Sequence, residues 1–375
     1  MNFNKIIDII NRMNHKFNFS FFIFLLFSFL AVEQLFAYQL VLWKPSNYTK
    51  DNPSYLLAIP DGANLRESVT LYFSILEDQL KEDFYNQNSI KLDDFKIITN
   101  INTSFGSDLI FVLLNENIDM KNENKNISRF KKIMNPMGFN KIYLPIMATV
   151  LLNKKEQNQF ADFIANNASV LIATGGNDID PKIYGEKNRK SYNVNPLRDE
   201  LESQIIRAFI LKANGFFLGI CRGAQLASVL MGLKLYQDLN TEFENPNLLN
   251  HQNGFHDIIL KETSNNILKN IYNFNSNDNN LPIVNVNTLH HQSKKWDDLS
   301  RGGDHSLLEL AAVAEDGVVE ALEFKNGKGL LVQYHPEIIY ESFEPAFNFF
   351  RRLMSYIKTV SPSVHHNFQC SKLFK

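Results

Sequence analysis

Cys221 stands at a point in the sequence where a nucleophile could be displayed. It follows the apolar run 216–220 and precedes a helical pattern, with Gly219 and Gly223 two residues to either side. A sharp turn from a strand into a helix crowds the backbone at these two positions and exposes the residue at its apex. The N-terminus of the following helix also favours a thiolate over a thiol. The spacing indicates a cysteine nucleophile, and a buried structural cysteine beside two incidental glycines is the alternative.

A base and a carboxylate that could serve this cysteine come late in the chain. His335 follows the apolar-rich run 329–334, and Glu337 lies two residues beyond it. In an extended chain residues i and i+2 point to one side, and Pro336 stiffens the link between them. A cysteine nucleophile needs a base, which a carboxylate holds in one tautomer. A His-Pro-Glu triplet alone is more often surface loop, but its place after a second buried strand favours a triad of Cys221, His335 and Glu337.

The elements that must position these residues alternate between strands and helices from Asp108 onward. Such alternation predicts an α/β fold with a mostly parallel central sheet covered on both faces. The predicted strands of this region are 109–114, 141–145, 170–174, 216–220, 256–260, 283–286, 310–314, 318–324 and 330–334. The predicted helices are 127–134, 154–165, 199–214, 222–231 and 345–357.

The segment 38–104 has mixed signals and no residues arranged for chemistry. Its apolar runs predict strands at 38–43 and 55–59, and its helical periodicity predicts a helix at 67–84. We therefore expect the chain to divide into a signal peptide or membrane anchor, an N-terminal extension of unknown role, a catalytic domain and a C-terminal tail. Their predicted bounds are 1–37, 38–104, 105–357 and 358–375.

The first 37 residues have the order of a targeting segment. Basic residues up to Lys16 precede the apolar run 17–32, and Ala37 is a small residue at a plausible cleavage point. A charged start, a short apolar run and a small residue form the secretory pattern. The run is shorter than the roughly 20 residues that span a bilayer comfortably. We expect a cleaved signal peptide, with a membrane tether through residues 17–36 as the alternative, and hence an exported or membrane-anchored protein rather than a cytoplasmic one.

Composition and net charge argue against nucleic acid and a zinc ion as ligands. The formal net charge is -2, so no basic excess is available to bind the phosphates of nucleic acid. Cys221 and Cys370 are the two cysteines, too few for a disulfide framework, and four-ligand zinc spacing is absent from the sequence. We expect no nucleic-acid partner, no cofactor and no metal, and the oligomeric state stays open.

The elbow at Cys221 and the late His-Pro-Glu together resemble the class I glutamine amidotransferase superfamily. The closer resemblance is to its peptidase C26 branch, the γ-glutamyl hydrolases that include γ-glutamyl-γ-aminobutyrate hydrolase. Four further segments are similar to motifs of that branch, and the likeness extends from about residue 105 to about residue 357. They are the loop Thr174-Gly-Gly-Asn-Asp-Ile-Asp-Pro-Lys-Ile-Tyr-Gly-Glu186, Arg198-Asp199 with Glu202, Leu235-Tyr-Gln-Asp-Leu239, and Val286-Asn-Thr-Leu-His-His-Gln292.

This resemblance implies a flavodoxin-like three-layer sandwich, a small γ-glutamyl substrate and a thioester mechanism. Cys221 would attack the γ-carbonyl, and the backbone N–H groups of Gly176 and Arg222 would form the oxyanion hole. Gln225 and His291 would lie beside the substrate. A hydrogen-bonded structural histidine is the alternative for His291.

Three residues depart from the branch pattern and leave the substrate open. Ala224 stands where the branch commonly has His, Thr288 replaces Ser and Tyr334 replaces Trp. The leading interpretation is a hydrolase of γ-glutamyl amides. The alternatives are a glutaminase subunit that supplies ammonia to a separate synthase and a non-catalytic binding protein on the same fold.

Overall fold

The computed structural model describes residues 38–44, 53–80, 91–98, 109–114, 125–135, 140–274, 282–296, 307–340 and 344–360. The predicted signal peptide or tether at 1–37 lies outside these ranges, as does most of the predicted tail. No helix within the described ranges is both long enough and apolar enough to cross a bilayer. The described residues from Tyr38 onward belong to one compact unit.

Fourteen strands and nine α-helices are present in the described ranges. The strands are β1 (Tyr38–Trp43), β2 (Tyr55–Pro60), β3 (Phe95–Ile98), β4 (Leu109–Leu113), β5 (Asn140–Leu144), β6 (Val170–Ala173), β7 (Phe216–Ile220), β8 (Lys234–Tyr236), β9 (Phe255–Leu260), β10 (Ile283–Asn287), β11 (Ser293–Lys295), β12 (Leu308–Ala314), β13 (Val319–Phe324) and β14 (Gly329–Val332). The helices are α1 (Leu65–Leu80), α2 (Lys125–Met134), α3 (Lys154–Asn167), α4 (Pro196–Lys212), α5 (Arg222–Leu230), α6 (Leu239–Glu242), α7 (Ile267–Tyr272), α8 (Pro336–Ile339) and α9 (Glu344–Val360).

Twelve of the strands form one sheet in the order β10-β9-β12-β13-β14-β7-β6-β4-β5-β2-β1-β3. The six neighbours from β14 to β2 pair in parallel, and both flanks are antiparallel. The central strands β4, β6, β7 and β14 are buried along their whole length, as expected where helices cover both faces of a sheet. The predicted α/β fold with a parallel central sheet is confirmed.

The segment 38–104 is not a separate extension. Its three strands continue the sheet beyond β5: β2 pairs with β5, β1 with β2, and β3 with β1. Trp43 is fully buried there and stacks on the rings of Tyr55 and Phe95 at centroid distances of 5.1 and 5.3 Å. Because this aromatic cluster joins all three strands, the boundary predicted near residue 104 is not a structural boundary.

Candidate active site

Cys221 occupies a strained turn between β7 and α5. Its backbone has φ 49° and ψ −106°, a positive φ that L-residues rarely adopt outside special sites. A Cβ at Gly219 would approach the backbone N of Ala224 at 2.9 Å, and a Cβ at Gly223 would collide with the backbone oxygen of Ala173. The two glycines are therefore required by the close approach of α5 to the sheet, which agrees with the predicted nucleophile elbow.

His335 lies beside this turn because neighbouring strands deliver both residues to the same sheet edge. β7 and β14 pair in parallel, and the backbone N–H of Cys221 donates to Val332 O at 2.8 Å. The glycine of the adjacent strand end leaves room for the two side chains to meet. A Cβ on Gly175 would lie 2.5 Å from Cε1 of His335 and 3.5 Å from Cβ of Cys221.

The carboxylate of Glu337 contacts the imidazole of His335, and the backbone turns between the two residues. The Nδ1 atom of His335 lies 2.7 Å from Oε1 of Glu337. The strand β14 ends at Val332, and Pro336 begins the short helix α8, so the link is not the extended segment that the sequence predicted. Proline at the first helical position is favourable because that N–H needs no partner. The predicted contact is present, and its backbone conformation was predicted wrongly.

The environment of His335 favours its charged form. Burial acts to lower its pKa, but the carboxylate of Glu337 and the sulfur of Cys221 act more strongly and raise the pKa well above its usual 6.5. The side chain is 8% exposed, so these neighbours are poorly screened by solvent. With Nδ1 directed at Glu337, the remaining nitrogen Nε2 is the atom available to Cys221.

Asn287, the last residue of β10, holds the backbone of His335 by two hydrogen bonds. Its side-chain nitrogen donates to His335 O at 3.0 Å, and its side-chain oxygen accepts from His335 N–H at 3.3 Å. Both residues are buried. Asn287 belongs to the Val-Asn-Thr-Leu-His-His-Gln segment, in which sequence reasoning assigned a role to His291 alone.

The buried Lys294 is linked to Cys221 by hydrogen bonds through the side-chain amide of Gln333. The Nζ of Lys294 donates to Oε1 of Gln333 at 2.8 Å, and Nε2 of Gln333 donates to the sulfur of Cys221 at 3.5 Å. Lys294 is 1% exposed, and burial lowers its pKa to about 8 while Glu320 and Cys221 oppose this effect. Sequence reasoning missed Lys294 and Gln333, because their proximity comes from pairing in the tertiary fold.

The side chain of Arg222 is locked beneath the turn. It is 1% exposed and forms ion pairs with the carboxylates of Asp199 and Glu202 on α4. The predicted contribution of Arg222 is its backbone N–H, which lies in the first turn of α5, where N–H groups have no intrahelical acceptor. The side-chain ion pairs hold the first turn of α5, which carries that N–H, against α4.

The same acidic pair also orders the glycine loop. Glu202 accepts from Nε of Arg198 at 2.8 Å, and Nη2 of Arg198 donates to the carbonyls of Thr174 and Gly175 at 3.1 and 3.0 Å. Gly176 follows at once, exposed and with φ 145°. The Arg-Asp-x-x-Glu motif thus joins the two segments that carry the predicted oxyanion donors.

The side chain of Gln225 is buried and hydrogen-bonded to two neighbouring segments. It is 3% exposed, and its side-chain nitrogen donates to Gln292 O at 3.1 Å and to Gln333 Oε1 at 3.4 Å. Gln225 therefore supports the segments that carry Gln292 and Gln333, and the expectation that it lies beside the substrate stays a prediction. Its burial follows from its place on the inner side of α5, where eight of the nine residues are buried.

His291 lies at the rim of the site and is tied to the loop of Gly176. Its Nε2 is 3.0 and 3.1 Å from the two carboxylate oxygens of Asp178, and its ring stacks on Tyr192 at 4.5 Å. Tyr192 is 57% exposed, so this pair faces solvent beside the loop. The arrangement suits a residue at a substrate entrance, and it equally fixes the loop through Asp178.

Known proteins resemble this chain over its catalytic region. A glutamine amidotransferase-like protein (YvdE) of Lactococcus lactis subsp. lactis is 35% identical over 181 residues, which are 46% of this chain and 67% of that protein. A Schizosaccharomyces pombe protein that is named for glutamine amidotransferase (PB2B2.05) is 32% identical over 182 residues, 47% of this chain and 64% of that one. The glutaminase domain of Trypanosoma brucei CTPS with bound acivicin is a solved structure with 15% identity and a TM-score of 0.46, over 67% of this chain and 94% of that one.

The family assignment covers the elements that hold these residues. The Peptidase C26 family model matches residues 110–337, from the central strand β4 to Glu337. That range lies inside the region 105–357 in which the sequence motifs were found, and it exceeds half of the chain. The chain belongs to the Peptidase C26 family and is an enzyme of the hydrolase or amidotransferase type.

Proposed function

We propose that the protein hydrolyses small γ-glutamyl amides through a thioester on Cys221, with His335 and Glu337 as the other members of the triad. The observation that carries this proposal is the pairing of a strained cysteine turn with an imidazole whose other nitrogen is 2.7 Å from a carboxylate. Family membership supports the reaction type. The segments 174–186 and 286–292, similar to γ-glutamyl hydrolase motifs, support the substrate class.

The first half-reaction uses the charged imidazole. The raised pKa of His335 favours an imidazolium beside the sulfur of Cys221, and in this proposal the cysteine attacks as its thiolate. The thiolate attacks the γ-carbonyl, the C–N bond breaks, and the imidazolium gives its proton to the leaving amine. The N–H groups of Gly176 and Arg222 stabilise the oxyanion that forms on the carbonyl oxygen.

The second half-reaction resolves the thioester with water. His335, now neutral, takes a proton from the water that attacks the acyl carbon, and Glu337 stabilises the imidazolium that results. The C–S bond breaks, glutamate leaves, and the thiolate–imidazolium pair is restored. Neither half requires a nucleotide or a redox group, so we expect turnover without ATP and during brief exposure to EDTA.

A glutaminase activity is the second candidate, since the named relatives are glutamine amidotransferase-like. Both reactions share the thioester and differ in the leaving group and in the need for an ammonia-using synthase. A non-catalytic binding protein would have no need of the ordered Cys221–His335–Glu337 geometry, which counts against that alternative.

Steady-state hydrolysis of three substrates separates these candidates. Purified protein is given γ-glutamyl-γ-aminobutyrate, a γ-glutamyl dipeptide or free glutamine, and glutamate release is measured. We expect the γ-glutamyl amides with larger leaving groups to be hydrolysed without any partner. Turnover of glutamine alone, and only after a synthase is added, would establish the glutaminase function instead.

A further inference from the structure

Three histidines and a glutamate converge in a buried cluster apart from the triad. His251 precedes β9, His256 lies on β9, His290 follows β10, and Glu320 lies on β13. Each offers one ligand atom, and these atoms all lie within 4.8 Å of one another. The four side chains are buried, Glu320 completely. We call this group the His₃Glu cluster.

The atoms that face the centre of the His₃Glu cluster have no hydrogen-bond partner among the described residues. They are Nδ1 of His251, Nε2 of His256, Nε2 of His290 and both carboxylate oxygens of Glu320. The three imidazole nitrogens approach one oxygen of Glu320 at 3.3–3.5 Å, but buried polar atoms without well-formed hydrogen bonds cost free energy. Their convergence on one point indicates that they share a ligand.

In each histidine the ring nitrogen that points away from Glu320 lies near a hydrogen-bond acceptor. If that nitrogen carries the proton, the nitrogen that faces Glu320 has a free lone pair. Nε2 of His251 is 2.8 Å from Oδ2 of Asp316, and Nδ1 of His290 is 2.9 Å from the Gln292 carbonyl. Nδ1 of His256 is 3.3 Å from the carbonyl of the next residue. An imidazole that donates to a carboxylate or carbonyl on one side is the arrangement in which histidines bind metal on the other.

The three distances to Glu320 fit ligands around a tetrahedral metal better than they fit hydrogen bonds, and all ligand atoms lie within 4.8 Å of one another. The inward nitrogens of His251, His256 and His290 lie 3.4, 3.5 and 3.3 Å from the same oxygen of Glu320. Ligands at about 2.0–2.1 Å from a tetrahedral zinc ion are separated by roughly 3.3 Å. One oxygen of Glu320 is thus at nearly the same distance from all three nitrogens, as expected if the four atoms are ligands of one metal ion.

We propose that the His₃Glu cluster binds a divalent cation of the Zn²⁺ class. Neutral imidazoles with one carboxylate are the donors that Zn²⁺ accepts, and Mg²⁺ or Ca²⁺ would select oxygen ligands. Four protein ligands complete a tetrahedron, so no position is open for substrate and the site is structural. The sequence did not reveal it, because the ligands come from three separate segments with no local zinc spacing.

The position of this cation gives it a role in supporting the active site. It joins the segment 251–256 and the segment 287–292 to β13. The backbone N–H of His290 donates to His251 O at 2.8 Å, so the two segments are already adjacent. The second segment carries Asn287, which holds His335, and it carries His291. Loss of the cation would loosen that segment without removing any group of the triad.

Metal analysis of the full-length protein tests the site directly. The protein is produced with zinc in the medium, and metal content is measured by inductively coupled plasma mass spectrometry after gel filtration. We expect about one zinc per chain in the wild type and in the control His291→Gln, and less than about a tenth of that in Glu320→Gln. Asp316→Asn should weaken affinity about 10–100-fold, because it removes only the carboxylate that orients His251.

Cobalt gives a readout of geometry that does not depend on activity or on a variant that folds poorly. Apo wild type prepared with a chelator is titrated with Co²⁺, and the account expects the intense visible bands of tetrahedral cobalt without a thiolate charge-transfer band. Full zinc content in Glu320→Gln would place the metal elsewhere. Wild type that purifies without metal and gives no tetrahedral cobalt spectrum would overturn the proposal and leave a cluster held by shared protons.

Discussion

The Nδ1 atom of His335 lies 2.7 Å from Oε1 of Glu337, and the imidazole between Glu337 and Cys221 has a pKa raised well above 6.5. The raised pKa favours the imidazolium form of His335. In the proposed mechanism this protonated form donates the proton to the leaving amine.

The alkaline limb of activity should therefore depend on Glu337. As pH rises through the raised pKa of His335, the imidazolium is lost and the first half-reaction slows. Glu337→Gln removes the charge that raises this pKa, so the alkaline limb of the kcat/KM profile should move to lower pH. Profiles of both proteins on one γ-glutamyl amide check this. An unchanged alkaline limb in the variant would separate Glu337 from the titration of His335.

Lys294 should assist the nucleophile through its positive charge. Lys294→Met removes the charge that reaches Cys221 through Gln333, so alkylation of Cys221 by iodoacetamide should shift to higher pH and kcat/KM should fall. Lys295→Met is the matched control, since Lys295 pairs with Glu242 at 3.5 Å on the other face of β11. Equal shifts in the two variants would point to a general charge effect instead of this hydrogen-bonded chain.

The Arg222 ion pairs should contribute to stability far more than an exposed arginine. Arg222→Met leaves Asp199 and Glu202 buried with less compensation, and the expected loss in the free energy of unfolding is about 3–5 kcal/mol. Arg189→Met removes an arginine that is 52% exposed and also pairs with two acids, and should cost at most about 1 kcal/mol. Urea unfolding measures both, and similar losses would show that the buried network has no special role.

Gly223 should tolerate no side chain. Gly223→Ala places a Cβ against the backbone oxygen of Ala173, so the turn must shift and both stability and activity should be lost. Gly62→Ala meets no atom within 4 Å and should cost only the roughly 1–2 kcal/mol of a left-handed backbone. Thermal unfolding and kinetics distinguish them. A stable, fully active Gly223→Ala protein would contradict the tight elbow.

Local sequence patterns predicted where strands begin and end, but they could not predict which strands pair with each other. The strands Tyr38–Trp43 and Phe216–Ile220 have the predicted bounds because continuous apolar runs mark buried strands. The run at Tyr38 could not reveal that it joins the central sheet, since its partners lie elsewhere in the chain. The sequence likewise assigned Arg222 a role only through its backbone N–H. Asp199 and Glu202 were recognised as part of a motif, but their ion pairs with the side chain of Arg222 could not be predicted, because they join two separate helices.

The most direct test of the account is to detect the acyl-enzyme on Cys221. The protein is mixed with a γ-glutamyl amide, quenched in acid during turnover, and analysed by intact-mass and peptide mass spectrometry. The account predicts that wild type and Cys370→Ser gain the mass of one glutamyl group on the peptide that contains Cys221. Cys221→Ala should show no adduct and no turnover while remaining folded. Turnover by Cys221→Ala, or a glutamyl group found on Cys370 alone, would contradict the proposed mechanism.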